Sequence, residues 1–254
     1  MTGEFSADWL ALREPADADA RSLELVGLLP QPVKVIRDLG CGTGSLGRWL
    51  APRLPAPQLW ILTDRDHELL EVAADRMPEG ANVAIDERDV TALTRDDLTG
   101  ADLVTCSALL DLLTAAEVDR LVEVCAQART TALFTLSVTG QVRFTPQDPR
   151  DREVEAAFNA HQRRETGGRP LLGPDAPAYT AAAFTRAGAR VVTRESPWRL
   201  GPQRARLTAE WLRGWVGAAA QQRPDLRFDE YLAARLAALP EVTVGHRDVL
   251  AIFE

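Results

Sequence analysis

Cysteine is scarce: Cys41, Cys106 and Cys125 are the three in 254 residues, an odd number at wide spacings. Neither a disulfide framework nor a paired zinc spacing can be built from them, so no metal is expected and a reducing cytoplasm is the expected setting. Lysine is scarcer still, with Lys34 alone against 28 arginines; in so alanine-rich a chain this reflects codon usage, not function. Histidine is limited to His67, His161 and His246, which leaves few groups that titrate near neutral pH. No apolar run approaches the roughly 20 residues that cross a bilayer, and residues 1–10 lack the basic and apolar blocks of a signal peptide, so no membrane partner is expected. Positive charge is in deficit, with a formal net charge of −8. That argues against a nucleic-acid partner, whose affinity would rest on neutralising phosphates.

What is present is a globular composition, 46% hydrophobic and 26% charged. It is too apolar for a disordered chain and long enough for one large α/β domain, or for one domain plus a small cap. Residues 33–40 read as a strand running into a glycine-rich turn and then the apolar-periodic stretch 47–54. Further strands are expected at 58–64, 81–89, 101–108 and 130–138. A helix is expected over 67–77 with Asp66 as its N-cap. Another carries Val118, Leu121, Val122 and Cys125 at i, i+3, i+4 and i+7, behind a Thr114–Glu117 capping box. Short strands alternating with helices read as a doubly wound α/β fold.

Beyond residue 138 two more strands are expected, at 189–195 and 248–253, separated by two insertions. The first, 140–178, holds a helix near 151–164. It then holds 165–177, whose three glycines and three prolines read as irregular. The second, 198–241, carries a helix with Leu207, Trp211 and Trp215 on one face and another helix near 228–239. Loops this long in a compact domain are usually functional, so both are expected to cap the substrate side.

The stretch Asp38-Leu39-Gly40-Cys41-Gly42-Thr43-Gly44 carries the chemistry. Its glycines let the backbone turn tightly and approach a ligand, and the helix start beyond them offers free N–H groups. A dinucleotide fingerprint needs Gly-x-Gly-x-x-Gly. Counted from Gly40 the sixth position is Ser45; counted from Gly42 it is Gly47, two residues late. Asp38 has no role in that fingerprint, so a nicotinamide oxidoreductase is disfavoured.

Asp-x-Gly-x-Gly-x-Gly at the end of a first strand instead resembles the class I (Rossmann-like) S-adenosylmethionine-dependent methyltransferases, closely over 33–138 and in outline over 180–254. The resemblance implies a seven-stranded, mostly parallel sheet with helices on both faces and an antiparallel last strand. The methyltransferase domain would span 33–254, with the cap insertions inside it and an N-terminal helical cap segment at 1–32. It also implies S-adenosyl-L-methionine as cofactor. Asp38, Gly40, Cys41, Gly42, Thr43 and Gly44 would hold its methionine end, and Asp64, beside Arg65, its ribose hydroxyls. Asp89 would accept from the adenine amino group, and Val90 would add a backbone N–H and an apolar contact. Ser107 and Ala108, with Leu109, would lie along the methionine chain and sulfonium. Arg13 would clamp the cofactor carboxylate, a role such N-terminal segments play in some relatives.

The acceptor is less legible. The family's enzymes for exocyclic nucleobase amines carry an Asn/Asp-Pro-Pro-aromatic motif after the fourth strand. This chain has Ser107-Ala108-Leu109-Leu110 there, and no Pro-Cys nucleophile, so a small-molecule acceptor methylated on oxygen, nitrogen or carbon is expected. His161, aligned with Val154 and Phe158, either faces the pocket as a general base or closes a helix as a packed histidine. Asp111 either borders the acceptor or is a solvated helix-start residue. Trp9, Trp198, Trp211 and Trp215 wall a pocket or build core, and Cys41 and Cys106 read as small buried hydrophobes. A competing reading is a catalytically silent cofactor-binding regulatory or scaffold protein. The oligomeric state stays open. Through Val138 the chain has 12 basic against 23 acidic residues (net −11), and beyond it 17 against 14 (net +3). A mildly basic acceptor half reads first as solvated surface arginines, and it is compatible with an anionic small molecule such as a carboxylate.

Overall fold

A computed structural model describes residues 6–253; the first five residues of the expected N-terminal cap segment, and Glu254, lie outside the described residues. Five strands form the parallel part of the sheet: β1 (Val35–Leu39), β2 (Gln58–Asp64), β3 (Ala81–Glu87), β4 (Leu103–Ser107) and the start of β5 (Thr131–Thr145). A short antiparallel hairpin follows, β6 (Glu165–Thr166) with β7 (Arg169–Pro170). Then come β8 (Arg190–Glu195), β9 (Trp198–Leu200) and β10 (Glu241–Ile252). The main sheet runs β3-β2-β1-β4-β5-β10-β8, with β10 antiparallel to both its neighbours and β9 paired to β10. The chain crosses from one side of β1 to the other when it enters β4. That reversal opens a crevice at the carboxyl ends of these two strands, where doubly wound sheets bind ligands.

The helices are α1 (Ala7–Ala20), α2 (Leu23–Gly27), α3 (Ser45–Leu50), α4 (His67–Asp75), α5 (Arg95–Leu98), α6 (Ala115–Ala128), α7 (Asp151–Gln162), α8 (Ala176–Arg186), α9 (Ala205–Gln222) and α10 (Asp229–Ala238). On one face of the sheet Leu25, Leu46, Leu50, Leu70 and Ala73 pack against Ile36, Trp60 and Leu62. On the other, Leu98, Val118, Leu121, Cys125 and Phe184 pack against Val104, Cys106 and Phe134. The helix expected behind Thr114 is α6: Thr114 Oγ1 accepts from Glu117 N, Glu117 Oε2 accepts from Thr114 N, and all four periodic residues are buried. Asp66 caps α4 through Leu69 N at 3.2 Å.

Four expectations change. The sheet has eight strands, not seven, because β9 adds to β10. β5 and β10 also run far past 130–138 and 248–253, since Val142 and Phe144 face Val244 and Val242 in an extended antiparallel pair. The stretch 165–177 is not wholly irregular: Gly167 and Gly168 adopt φ of 58° and 77° and close the β6–β7 turn, a conformation that favours glycine. α8 already begins at Ala176. Finally, 198–241 does not cap the crevice. Its β9, α9 and α10 pack with α7 on the extended β5–β10 pair, where Trp198, Trp215, Tyr231 and Phe144 form a third core. Trp9 and Trp211 pack on that core as well.

Candidate active site

A cavity of about 470 Å³ opens at the carboxyl ends of β1, β2 and β4. Its floor is Asp38, the glycine turn and Asp64; α1 covers one side through Leu10, Arg13 and Asp17, and the β6–β7 hairpin covers another through Arg164, Thr166, Arg169 and Leu171. Of the residues expected from sequence, Asp38, Gly40, Cys41, Gly42, Thr43, Asp64, Arg65, Asp89, Val90, Ser107, Ala108 and Arg13 all line this one cavity. Gly44, Asp111 and His161 do not.

The glycine turn is built by its neighbours. Cys41 N donates to Thr63 O at 3.1 Å and Gly42 N donates to Asp64 Oδ2 at 2.8 Å, so the turn is laced to the end of β2. Gly40, Gly42 and Gly44 have φ of 58°, 54° and 79°. A Cβ on Gly42 would sit 3.1 Å from Leu10 Cδ1, and one on Gly44 would sit 3.1 Å from Ala73 Cβ. Gly44 thus serves the cavity from behind, as the left-handed residue that lets α3 start against α4. Across the crevice, Ala108 takes φ of 52° after β4, held by Ala108 N donating to Thr135 O at 3.0 Å. A non-glycine residue in that region is strained, and here the strain swings Leu109 over Gly40.

Asp38 is 1% exposed, with Thr105 Oγ1 donating to its Oδ1 at 2.7 Å and its Oδ2 without a partner among the described residues. Burial drives its carboxyl up to about 7, the Asp64 charge adds to the rise, and the Thr105 hydrogen bond and Arg21 pull the other way. Asp64 keeps its second oxygen on Asp66 N at 3.1 Å. Asp89 starts a short helical turn, accepting from Thr91 N at 2.8 Å and Thr91 Oγ1 at 2.7 Å, and stands at the exposed rim.

Arg21 is the residue that sequence reading missed. It follows α1, is 4% exposed, and donates from Nη2 to Ser45 Oγ at 3.0 Å and to Ser107 Oγ at 3.2 Å. Its Nε and Nη1 are buried without partners, and its guanidinium lies 5.6 Å from the Trp49 ring. Burial lowers its pKa, with Asp17 opposing. Asp248 holds the adjacent Ser22 N at 2.9 Å, which fixes where Arg21 enters the cavity. Arg13, the arginine expected there, is instead paired with Asp17 at 3.0 Å and lies 4.9 Å from the Trp198 ring. Nothing in a single sequence separates Arg21 from other helix-end arginines; only its burial does.

His161 closes α7, and its carbonyl accepts from Arg164 N and from Arg164 Nη1. Partial burial, then the Arg164 charge, lowers its pKa, so the ring is neutral at pH 7 but is not on the cavity wall. No histidine lines the cavity, and among the described residues no cluster of metal-ligating side chains occurs. No helix among them is long and apolar enough to cross a membrane.

Residues 36–130 match the family model described as a methyltransferase domain. No curated protein matches the sequence. Among solved structures, the chain is similar to the YcgJ protein from Bacillus subtilis at 14% identity, with 91% of this chain and 97% of that one covered and a TM-score of 0.52. It is similar to magnesium protoporphyrin IX methyltransferase ChlM from Synechocystis PCC 6803 with bound SAH at 14% identity, covering 100% and 90% of the two chains with a TM-score of 0.50. A SAM-dependent methyltransferase from Leishmania major shares 15% identity over 94% of this chain and 72% of that one, again at 0.50. At these identities the likeness is one of fold.

Proposed function

We propose, from the match of residues 36–130 to the methyltransferase-domain model and from the doubly wound fold that positions the cavity, that the protein is an S-adenosylmethionine-dependent methyltransferase acting on a small molecule. The observation that carries the reading is the charge layout inside one cavity. Two acids, Asp38 and Asp64, and one buried guanidinium, Arg21, converge on a glycine turn where an added Cβ would press on Leu109, Leu10 or Ala73. An amino acid with an ammonium, a carboxylate and a neighbouring sulfonium needs that pairing of signs. The unpartnered Asp38 Oδ2 and the unpartnered Arg21 Nε and Nη1 are the atoms such a ligand would satisfy.

When bound, S-adenosylmethionine supplies an electrophilic methyl carbon. The chain's own residues hold and orient. Asp38 and the glycine turn take the ammonium end, Arg21 the carboxylate, Asp64 the ribose hydroxyls, and Asp89 with Val90 the adenine edge. Ser107 and Ala108 run beside the methionine chain. Leu10, Leu46, Leu69, Leu109 and Leu112 wall the cavity and exclude water. With no histidine on that wall, we assign no general base. Catalysis rests on bringing an already nucleophilic acceptor into line, which positioning alone can accelerate strongly.

Calorimetry with S-adenosylmethionine and, separately, NADH tests the cofactor. The expected result is binding of the sulfonium and none of NADH; the reverse sinks the reading. Labelled cofactor incubated with cell extract then tests activity, and a cofactor-binding protein that labels nothing supports the regulatory scaffold instead.

A further inference from the structure

The cavity wall holds more arginine than the cofactor reading uses. Arg13 is paired with Asp17, Arg88 with Asp86 and Asp97, and Arg169 with Glu117 at 2.7 Å; Arg65 is engaged as well. Arg164 differs. It leads into the β6–β7 hairpin and lines the cavity, yet among the described residues no carboxylate lies within ion-pair distance. A guanidinium has five N–H donors, and the protein uses one of them, Nη1 to the His161 carbonyl at 3.0 Å. The hairpin bearing it is held in place: Leu171 bridges to Thr114, Leu172 N donates to Leu113 O at 2.9 Å, and Arg169 clamps Glu117 at the start of α6. Beside it Leu112, Leu113 and Leu171 give an apolar wall.

We propose that Arg164 anchors a carboxylate carried by an otherwise apolar methyl acceptor. The inference rests on the methyltransferase reading, because it assigns the part of the cavity which that reading leaves to the acceptor. A partly buried guanidinium with spare donors, beside a hairpin that is held in place, is a bidentate carboxylate site, and one free positive charge balances one carboxylate. The anchored group is not the methylated atom: a carboxylate whose lone pairs are engaged by a guanidinium is a poor nucleophile. Arg163, next in sequence, is not part of the site, since it points outward and pairs with Asp175 at 2.6 Å.

The test uses full-length protein saturated with S-adenosylhomocysteine and a panel of matched aryl and alkyl carboxylates and their carboxamides, read by calorimetry. At least one carboxylate should bind about tenfold or more tighter than its amide, as a charge-assisted hydrogen bond implies. Arg164→Gln should erase that preference and leave S-adenosylhomocysteine affinity unchanged, while Arg163→Gln should keep both. If wild type takes up S-adenosylhomocysteine but no pair favours the carboxylate, or if the preference survives in Arg164→Gln, the Arg164 assignment is overturned. If wild type does not take up S-adenosylhomocysteine, the methyltransferase reading itself falls.

Discussion

Cofactor affinity should rise with pH through the titration of Asp38. In the free protein burial pushes this carboxyl up to about 7, whereas holding a cation needs it ionised. With that value, roughly 3% of the protein is competent at pH 5.5 and about half at pH 7, so the apparent dissociation constant for S-adenosylmethionine should fall about fifteenfold across that window. In free energy this is about 1.6 kcal/mol. The window ends below the range of an α-amino group, so the ligand's charge stays constant across it. Binding at pH 5.5 should release close to one proton and at pH 7 about half a proton, measured by calorimetry in buffers of different ionisation enthalpy. Stability of the free protein runs the opposite way. A carboxyl raised in the folded state contributes fully below the ordinary carboxylate range, and that contribution is lost as pH rises through about 7. Added cofactor should therefore raise the melting temperature more at pH 7 than at pH 5.5. Asp38→Asn should flatten the affinity profile. An equal dissociation constant at both pH values, or a slope that survives in Asp38→Asn, refutes the assignment of Asp38 as the ionisable group under the cofactor.

Three further substitutions probe the same site. Arg21→Gln should weaken S-adenosylmethionine about tenfold or more while leaving 5′-methylthioadenosine, which lacks the carboxylate, unchanged; equal losses for both ligands would mean a collapsed cavity and not a lost ion pair. Gly44→Ala should lower the melting temperature by several degrees, because a left-handed alanine costs about 1–2 kcal/mol and its Cβ would press on Ala73. An unaltered melting curve would show that α3 and α4 separate freely. Asp248→Ala should cost about 3 kcal/mol in urea unfolding, since it strips partners from Ser22 N, Leu136 N and Ser196 Oγ at once. A cost below 1 kcal/mol would mean that water replaces the carboxylate.

The parallel half of the molecule was legible because its signals are local. The capping box at Thr114, the cap at Asp66 and the apolar period of α6 each lie within a few residues, and the structure shows all three. The acids at 38, 64 and 89 were placed by a resemblance whose spacing follows the strands, and they share a cavity. What failed depends on distant pairing. The second half of β5 carries Val142 and Phe144 in alternation, a strand signal in itself, but its partner in β10 lies about a hundred residues on. Read alone, the stretch after Gly140 looked like an insertion. The glycines at 167 and 168 looked like breakers for the same reason, because a two-residue turn is recognised by the strands it joins. His161 fell on the apolar stripe of its helix as expected, yet that stripe faces the third core and not the cavity.

The position of Arg21 shows why the far end of the chain matters to a site built from its first half. A buried arginine next to a buried acid stays in place only if something opposes its escape to water. Asp17 O holds the Arg21 backbone N–H at 3.1 Å, and one residue on, Asp248 holds Ser22 N. Asp248 lies in β10, 0% exposed, and also binds Leu136 N at 2.8 Å in the neighbouring strand. The antiparallel last strand thus pins the exit of α1 to the sheet, and α1 in turn lays Leu10 against Gly42. Loosening β10 at Asp248 should weaken cofactor binding without touching any residue that contacts it. Measured on folded Asp248→Asn, a weaker affinity for S-adenosylmethionine with unchanged affinity for 5′-methylthioadenosine would trace the loss to Arg21. Full affinity for both would show that Arg21 holds its place through Ser45 and Ser107 alone.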